Sequence, residues 1–311
     1  MKQEVFSIEL PVGERFVINK NRIEGKRPRA KRLAIVTGIH GDEFEGQYVC
    51  YETGRRLLER QDFLTGTVDI YPALNPLGLE QAEHKIPKLG LDLNRMFPGK
   101  KNGTAMEQAA AAIVEDISGA DMCLDVHAGD VFVKEIPQVR VSERFADQLL
   151  PFAKLLNADM IWTNAAATVH ESTLTYSMNM LGVPSMVLEM GVGTRIDRGY
   201  GNQVVEGIFH LMKELGMWEG SVGEIQYPAI STDGEVDFIR SGSTGVFLPA
   251  IAHNHYVRKG DRLGEVVSPL EGKILEEIKA KKSGLVFTLR EYPFVREGSL
   301  LVRILTGIGE E

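Results

Sequence analysis

The chain opens with two stretches that alternate apolar and polar residues, Val5 to Leu10 and Arg15 to Asn19, joined at Pro11-Val12-Gly13. That pattern predicts a β-hairpin. From Leu33 the alternation gives way to short unbroken apolar runs separated by segments of helical period, as parallel strands buried on both faces produce. Strands are predicted at Arg32 to Thr37, Thr67 to Tyr71, Asp121 to Val126, Met160 to Trp162 and Ser185 to Leu188. Helices are predicted at Phe44 to Arg60, Thr104 to Ser118, Glu143 to Leu156 and Asn202 to Leu215. The second is marked at both ends, by the capping-box form Thr104-Ala105-Met106-Glu107 and by Gly119. After Trp218 helical periodicity stops, and β-prone runs (Gly245 to Pro249, Arg262 to Val267, Gly272 to Ile278, Gly284 to Leu289, Ser299 to Leu305) alternate with Gly, Pro and Lys-Gly-Asp turns. The expected fold is α/β, a mixed and mostly parallel sheet flanked by helices over residues 1–218, followed by an all-β domain over 219–311.

Composition narrows the function classes. With 43% hydrophobic and 25% charged residues, the 311-residue chain is an ordinary globular one, and 35 Lys plus Arg against 43 Asp plus Glu give a net charge of −8. That balance is the opposite of a phosphate-binding footprint, so nucleic acid is excluded as an expected partner. The cluster Lys26-Arg27-Pro28-Arg29-Ala30-Lys31-Arg32 reads as a solvated loop before a strand. Two cysteines, Cys50 and Cys123, make no disulfide framework, so a bound metal would rest on the histidines and carboxylates. Residues Met1 to Phe6 lack the apolar core of a secretion signal and no run of 18 apolar residues occurs; a cytoplasmic protein without membrane contact is expected.

Three apolar runs lead into residues of one chemical kind. Leu33 to Thr37 leads into Gly38-Ile39-His40-Gly41-Asp42-Glu43, Cys123 to Val126 into His127, and Met186 to Leu188 into Glu189-Met190-Gly191. In an open parallel sheet the crevice lies beyond the carboxyl ends of the strands, so His40, Glu43, His127 and Glu189 are expected to share one cleft. His40 and Glu43, three apart at a strand-to-helix turn, can address one atom. Two imidazoles and one carboxylate would leave a zinc ion an open fourth position, the coordination of a hydrolase. Each residue alone also fits a plainer role: a capping carboxylate for Glu43, a hydrogen-bonded strand-end histidine for His127, a rim ion pair for Glu189. In the loop Leu91-Asp92-Leu93-Asn94-Arg95-Met96-Phe97-Pro98-Gly99, an amide beside a guanidinium fork can hold a carboxylate, while an Asp92–Arg95 ion pair anchored by Phe97 is the alternative.

The order His-x-x-Glu, Asp-Leu-Asn-Arg-x-Phe-Pro-Gly, Leu-Asp-Val-His and a strand-terminal Glu-Met-Gly, spanning Leu33 to about Gly193, resembles the succinylglutamate desuccinylase/aspartoacylase family, relatives of the zinc carboxypeptidases. The resemblance implies that His40, Glu43 and His127 bind one zinc ion per chain. It assigns Glu189 as general base and proton shuttle, and Asn94 and Arg95 as holders of a substrate carboxylate. It implies a zinc-carboxypeptidase-like fold and a hydrolase that cleaves the amide bond of a small N-acyl amino acid or related N-acylated amine, with no role in peptide-bond cleavage. Its partner would be a small carboxylate-bearing substrate; a homo-oligomer is left open.

The chain departs from the family pattern at two places. Residues 80–90 contain no arginine to stabilise the oxyanion, the cations there being His84, Lys85 and Lys88; and Thr173 to Met180 contains none to meet an acidic acyl chain. A short neutral acyl group such as acetyl is therefore expected over succinyl. A metallocarboxypeptidase or peptidoglycan-fragment amidase would use the same metal site, and a non-catalytic scaffold would use the β-rich domain instead. In that domain Val257 to Leu263 and Val295 to Leu301 share a Val-Arg-x-Gly-x-x-Leu pattern, similar to the barrel-sandwich of lipoyl and biotinyl carriers, but the turn at Val267 to Lys273 lacks a carrier lysine motif. Of the other histidines, His170 stands either at the pocket wall or at a surface helix start, His210 is expected to pack, and His253 and His255 are expected to be solvated.

Overall fold

In a computed structural model, residues 1–9, 13, 15–164 and 171–307 are described; His170 and the centre of the N-terminal turn, Leu10 to Val12, lie outside them. The chain forms the strands β1 (Lys2–Glu9), β2 (Arg15–Glu24), β3 (Arg32–Thr37), β4 (Thr67–Tyr71), β5 (Met122–Ala128), β6 (Val133–Ser142), β7 (Met160–Asn164) and β8 (Ser185–Gly191). Among the described residues, six α-helices lie between or after them: α1 (Glu45–Glu59), α2 (Pro76–Gln81), α3 (Ala105–Ile117), α4 (Ala146–Ala153), α5 (Leu174–Met180) and α6 (Arg198–Glu214). Nine further strands follow: β9 (Ala229–Thr232), β10 (Val236–Arg240), β11 (Gly245–Pro249), β12 (His255–Val257), β13 (Arg262–Ser268), β14 (Lys273–Lys279), β15 (Gly284–Arg290), β16 (Phe294–Val295) and β17 (Leu300–Thr306).

Strands β4, β3, β5 and β8 are parallel neighbours, and the β1–β2 hairpin adds to the β4 edge. Their unbroken apolar runs are explained by burial on both faces: Leu33 and Ile35 pack with α1, α4 and α6, while Ala34 and Val36 pack with α3 and α5. Helix α3 has the capping box that its sequence predicts, and Arg32 donates to the carbonyls of Asp116, Ile117 and Ser118 at its other end. Helix α6 begins at Arg198, four residues ahead of the predicted Asn202, because the Asp197 carboxylate accepts the N–H groups of Gly199 and Tyr200. The helix expected over Glu143 to Leu156 is instead a 3-10 turn, Glu143–Phe145, followed by the short α4, which holds Pro151. A proline supplies no N–H to the helical ladder, so this segment carries weaker helical support than its apolar spacing suggests.

The sequence pattern does not reveal β6, yet this strand organises the C-terminal half. One edge pairs antiparallel with β8; the other pairs with β15 near its start and with β7 near its end. Through β15 the sheet continues to β17 and β10, and through β7 to β9. A second sheet, in the order β14-β13-β11-β16, shares with β10, β12, β15 and β17 a core that includes Phe247, Leu263, Val266, Val286, Leu301 and Ile304. The C-terminal region is thus β-rich, with one of its two sheets continuous with the sheet that carries the site.

Candidate metal and substrate site

Strand β3 ends at Thr37, and the following turn brings its backbone against α2, where a Cβ on Gly41 would stand 2.0 Å from the carbonyl carbon of Gly78. Only glycine permits that approach. The turn delivers His40 and Glu43 to the carboxyl end of β3. His127 and Glu189 lie inside β5 and β8, which run two to three residues beyond their predicted ends, and the two are register partners on adjacent parallel strands.

Glu43 is the centre of the cluster. One carboxylate oxygen lies 2.7 Å from His40 Nδ1, the other 2.8 Å from His127 Nδ1, and the second also accepts the Ala128 N–H at 3.1 Å. All three side chains are buried. Burial alone would raise the Glu43 carboxyl, but the two imidazoles hold it below the usual carboxylate range. Burial also works against charge on His40; Glu43 and Asp92 outweigh it and raise the imidazole to about 9. His127 is raised well above its ordinary value, against burial, by Asp125 and Glu43.

The far nitrogens of both rings face carboxylates: His127 Nε2 lies 3.1 Å from Asp125, and His40 Nε2 lies 3.5 Å from Asp92. Neither is expected from the sequence as a partner of these histidines: Asp92 is expected only beside Arg95. Asp125 had a readable signal, since it stands two residues before His127 and shares its strand face. Asp92 keeps a long ion pair with Arg95, Nε 3.9 Å away, and also faces His40 and caps the 3-10 turn Leu93–Arg95. His84 stacks on His40, ring centroids 3.8 Å apart, with Nδ1 3.1 Å from Asp42, whereas Lys85 and Lys88 are exposed.

Asn94 is buried, its side-chain oxygen accepting the Leu174 N–H at the start of α5, and Arg95 is partly exposed. All six predicted residues, His40, Glu43, Asn94, Arg95, His127 and Glu189, line one cavity of about 230 Å³, with Ser142, Thr175, Tyr176 and Asn179 on its other walls. Arg140, on β6, also lines it, and its Nη1 lies 2.7 Å from the Glu189 carboxylate. Burial raises Glu189 to about 7, against the pull of Arg140. A larger cavity, about 680 Å³, opens in the C-terminal region among Phe132, Tyr292 and Phe294, but it lacks a cluster of acid–base groups.

Elsewhere, Cys50 and Cys123 are buried free thiols. His210 contacts the Gly223 carbonyl, and His253 lies between the Tyr200 hydroxyl and the Phe287 carbonyl. Among the described residues no helix is long and apolar enough to cross a membrane.

The donor set suits a zinc ion: two imidazole Nδ1 atoms and one carboxylate, all within 4.8 Å of one another, each ring backed by a further carboxylate. The sheet is parallel over its central strands β4, β3, β5 and β8 but carries more antiparallel than parallel pairings overall, short of the mostly parallel sheet expected, because the hairpin and the C-terminal strands join it antiparallel. Clothed by helices, with this cluster at the carboxyl ends of the central strands, this mixed sheet defines a zinc-carboxypeptidase-like fold. The family model described as the succinylglutamate desuccinylase/aspartoacylase catalytic domain matches residues 29–215, and the chain belongs to that family. It is 31% identical over 113 residues to N-alpha-acetyl-L-2,4-diaminobutyric acid deacetylase of Halomonas elongata, a match spanning 36% of this chain and 32% of that relative. The chain's match thus spans about a third of that curated relative's length.

Among solved structures, a succinylglutamate desuccinylase/aspartoacylase from Rhodobacter sphaeroides superposes with a TM-score of 0.81 at 22% identity, covering 97% of this chain and 95% of that one. The product-bound ectoine utilization protein EutE (DoeB) from Ruegeria pomeroyi superposes with a TM-score of 0.80 at 22% identity, covering 96% and 92%. At that identity the likeness carries the fold.

Proposed function

We propose that the protein is a zinc-dependent hydrolase that removes a short acyl group, acetyl in preference to succinyl, from a small N-acyl amino acid or related N-acylated amine. The observation that carries this reading is the convergence of His40, Glu43, His127, Glu189, Asn94 and Arg95 on one cavity of about 230 Å³. His40, Glu43 and His127 would hold the metal. A zinc ion there supplies a Lewis acid for the scissile carbonyl and lowers the pKa of water toward about 7.

Glu189, close to neutral balance, takes a proton from the attacking water and returns it to the leaving nitrogen. Arg95, anchored through its own bond to the Asn94 carbonyl, offers its remaining N–H groups to the substrate carboxylate. Fixing that carboxylate restricts the scissile amide to one position. Asn94 ties this loop to α5, so the two walls of the pocket are set relative to one another. The acetyl preference rests on the small cavity, on Thr175, Tyr176 and Asn179 where an acidic acyl chain would need a cation, and on the acetyl group in the Halomonas relative's name. The chemistry is placed in residues 1–218, in a reducing, cytoplasmic setting that suits two free thiols.

The test is a hydrolysis screen of zinc-loaded protein against N-acetyl and N-succinyl amino acids and C-terminal peptide substrates, read as amine release. Turnover of N-acetyl amino acids above the others is expected. Preference for N-succinyl substrates refutes the acyl assignment, and preference for peptides makes the protein a carboxypeptidase.

A further inference from the structure

Glu189 is held by more than the strand that bears it. Arg140 places Nη1 2.7 Å from Glu189 and Nη2 3.6 Å from Glu135, with its Cζ 5.3 Å from the centre of the Trp162 ring. Glu135 is 1% exposed and lies outside the cavity wall. It accepts from Gln138 at 3.0 Å, from Thr288 of β15 at 2.5 Å and from Arg303 of β17 at 2.7 Å. Arg303 in turn lies over Trp162 and Phe238, each at 5.6 Å.

These residues are cross-strand neighbours throughout: Gln138 opposes Glu189, Arg140 opposes Trp162, Thr288 opposes both Glu135 and Arg303, and Arg303 opposes Phe238. Six strands from the two halves of the chain thus surround one chain of alternating charge, Glu189–Arg140–Glu135–Arg303, carried by β8, β6 and β17. A buried carboxylate such as Glu135 persists only with such partners.

We propose that Arg140 is a positioning residue for the proposed deacylation, pinning the Glu189 carboxylate for proton transfer, and that β15 and β17 hold Arg140 in place through Thr288, Arg303 and Glu135. The inference rests on the role given to Glu189 above. The guanidinium lies between the Glu189 and Glu135 carboxylates, 2.7 and 3.6 Å away, with its buried Nε unpartnered among the described residues, so its work is to orient the nearer carboxylate, whereas the more exposed Arg95 is left for substrate. Engaging Oε2 of Glu189 leaves Oε1 to receive the proton. It also assigns the C-terminal strands a task in the reaction, since two of the three hydrogen-bond donors to Glu135 come from them. Loss of such an outer partner ordinarily costs about 10–100-fold.

The experiment compares wild type, Arg140→Gln, Arg140→Lys, Arg303→Met and Arg140→Gln/Arg303→Met, all zinc-loaded and with metal content measured. The substrate is the N-acyl amino acid that wild type cleaves fastest. Arg140→Gln is expected to lower kcat about 10–100-fold with KM and zinc content unchanged. Arg140→Lys, which keeps the charge, is expected to lose less at unchanged KM, and Arg303→Met to lower kcat severalfold although it touches no cavity wall. The double variant should be no slower than Arg140→Gln alone.

A rise in KM at unchanged kcat in either Arg140 variant overturns the proposal and makes Arg140 a substrate ligand. Wild-type kcat in Arg303→Met, or a double variant whose losses multiply, overturns the part given to the C-terminal strands. A wild type that cleaves no N-acyl amino acid overturns the proposed function itself, an outcome distinct from all of these.

Discussion

Zinc uptake by this site should be strongly coupled to protons, because carboxylates surround both imidazoles. Glu43 stands between two imidazoles, 2.7 Å from one and 2.8 Å from the other, and with Asp92 and Asp125 behind them the metal-free site favours imidazolium. His40 is raised to about 9 and His127 is raised as well. Zinc accepts only the neutral imidazole. A ligand with a raised value keeps its proton until the pH passes that value, so affinity falls as pH drops below about 9 and levels above it. At pH 7 His40 is therefore mostly imidazolium, a penalty on the order of 3 kcal/mol or about 100-fold in affinity from this residue alone. His127 adds a second proton of the same sign. Zinc binding near neutrality should therefore release about two protons from the ligands, with log K rising by up to about two per pH unit. Calorimetric titration of the metal-free protein with zinc, in buffers of different ionisation enthalpy, counts those protons directly. Release of less than about one proton, with affinity level between pH 6 and 9, would refute the argument that Glu43 and its flanking carboxylates hold the rings charged.

Three further outcomes are expected. Glu189→Gln should retain zinc and lose about 10²–10⁴-fold in kcat on the N-acyl substrate; retained turnover removes Glu189 from the proton-transfer role. Asp125→Ala, which leaves His127 Nε2 without its carboxylate 3.1 Å away, should weaken zinc binding about 10–100-fold in a chelator competition. Asp69→Ala should destabilise the protein by about 3–5 kcal/mol in denaturant unfolding, because the fully buried Asp69 pairs with Lys20, Arg22 and Arg32, and its loss leaves the 4%-exposed Lys20 ammonium with Asp116 as its remaining carboxylate among the described residues.

What the sequence discloses, and what it hides, follows from which interactions are local. Strands β3 and β4 are readable to the residue because burial on both faces demands continuous apolar runs, and α3 because its caps lie within a few residues of what they cap. The six candidate residues are readable because each follows or ends such a run or stands in a distinctive loop, and all six meet in one cavity. Strand β6 resists reading for the opposite reason. Its sequence, Val-Lys-Glu-Ile-Pro-Gln-Val-Arg-Val-Ser, places charges and a proline where a central strand should have none, and Pro137 falls at the shift in register against β8 between Glu135 and Gln138. The charges become tolerable only through partners distant in sequence, Glu135 with Arg303 and Arg140 with Glu189. A strand whose polar residues are satisfied by Arg303, 168 positions away, has no local signature. The same non-locality hides Arg140, which enters the pocket beside Glu189 from a strand that reads as a loop, while the segment ahead of Glu189 lines the pocket with Thr173, Thr175, Tyr176 and Asn179. The proposed metal and substrate residues stand at element ends, where one residue suffices; the proposed positioning network is written across the sheet, where only the register makes it visible.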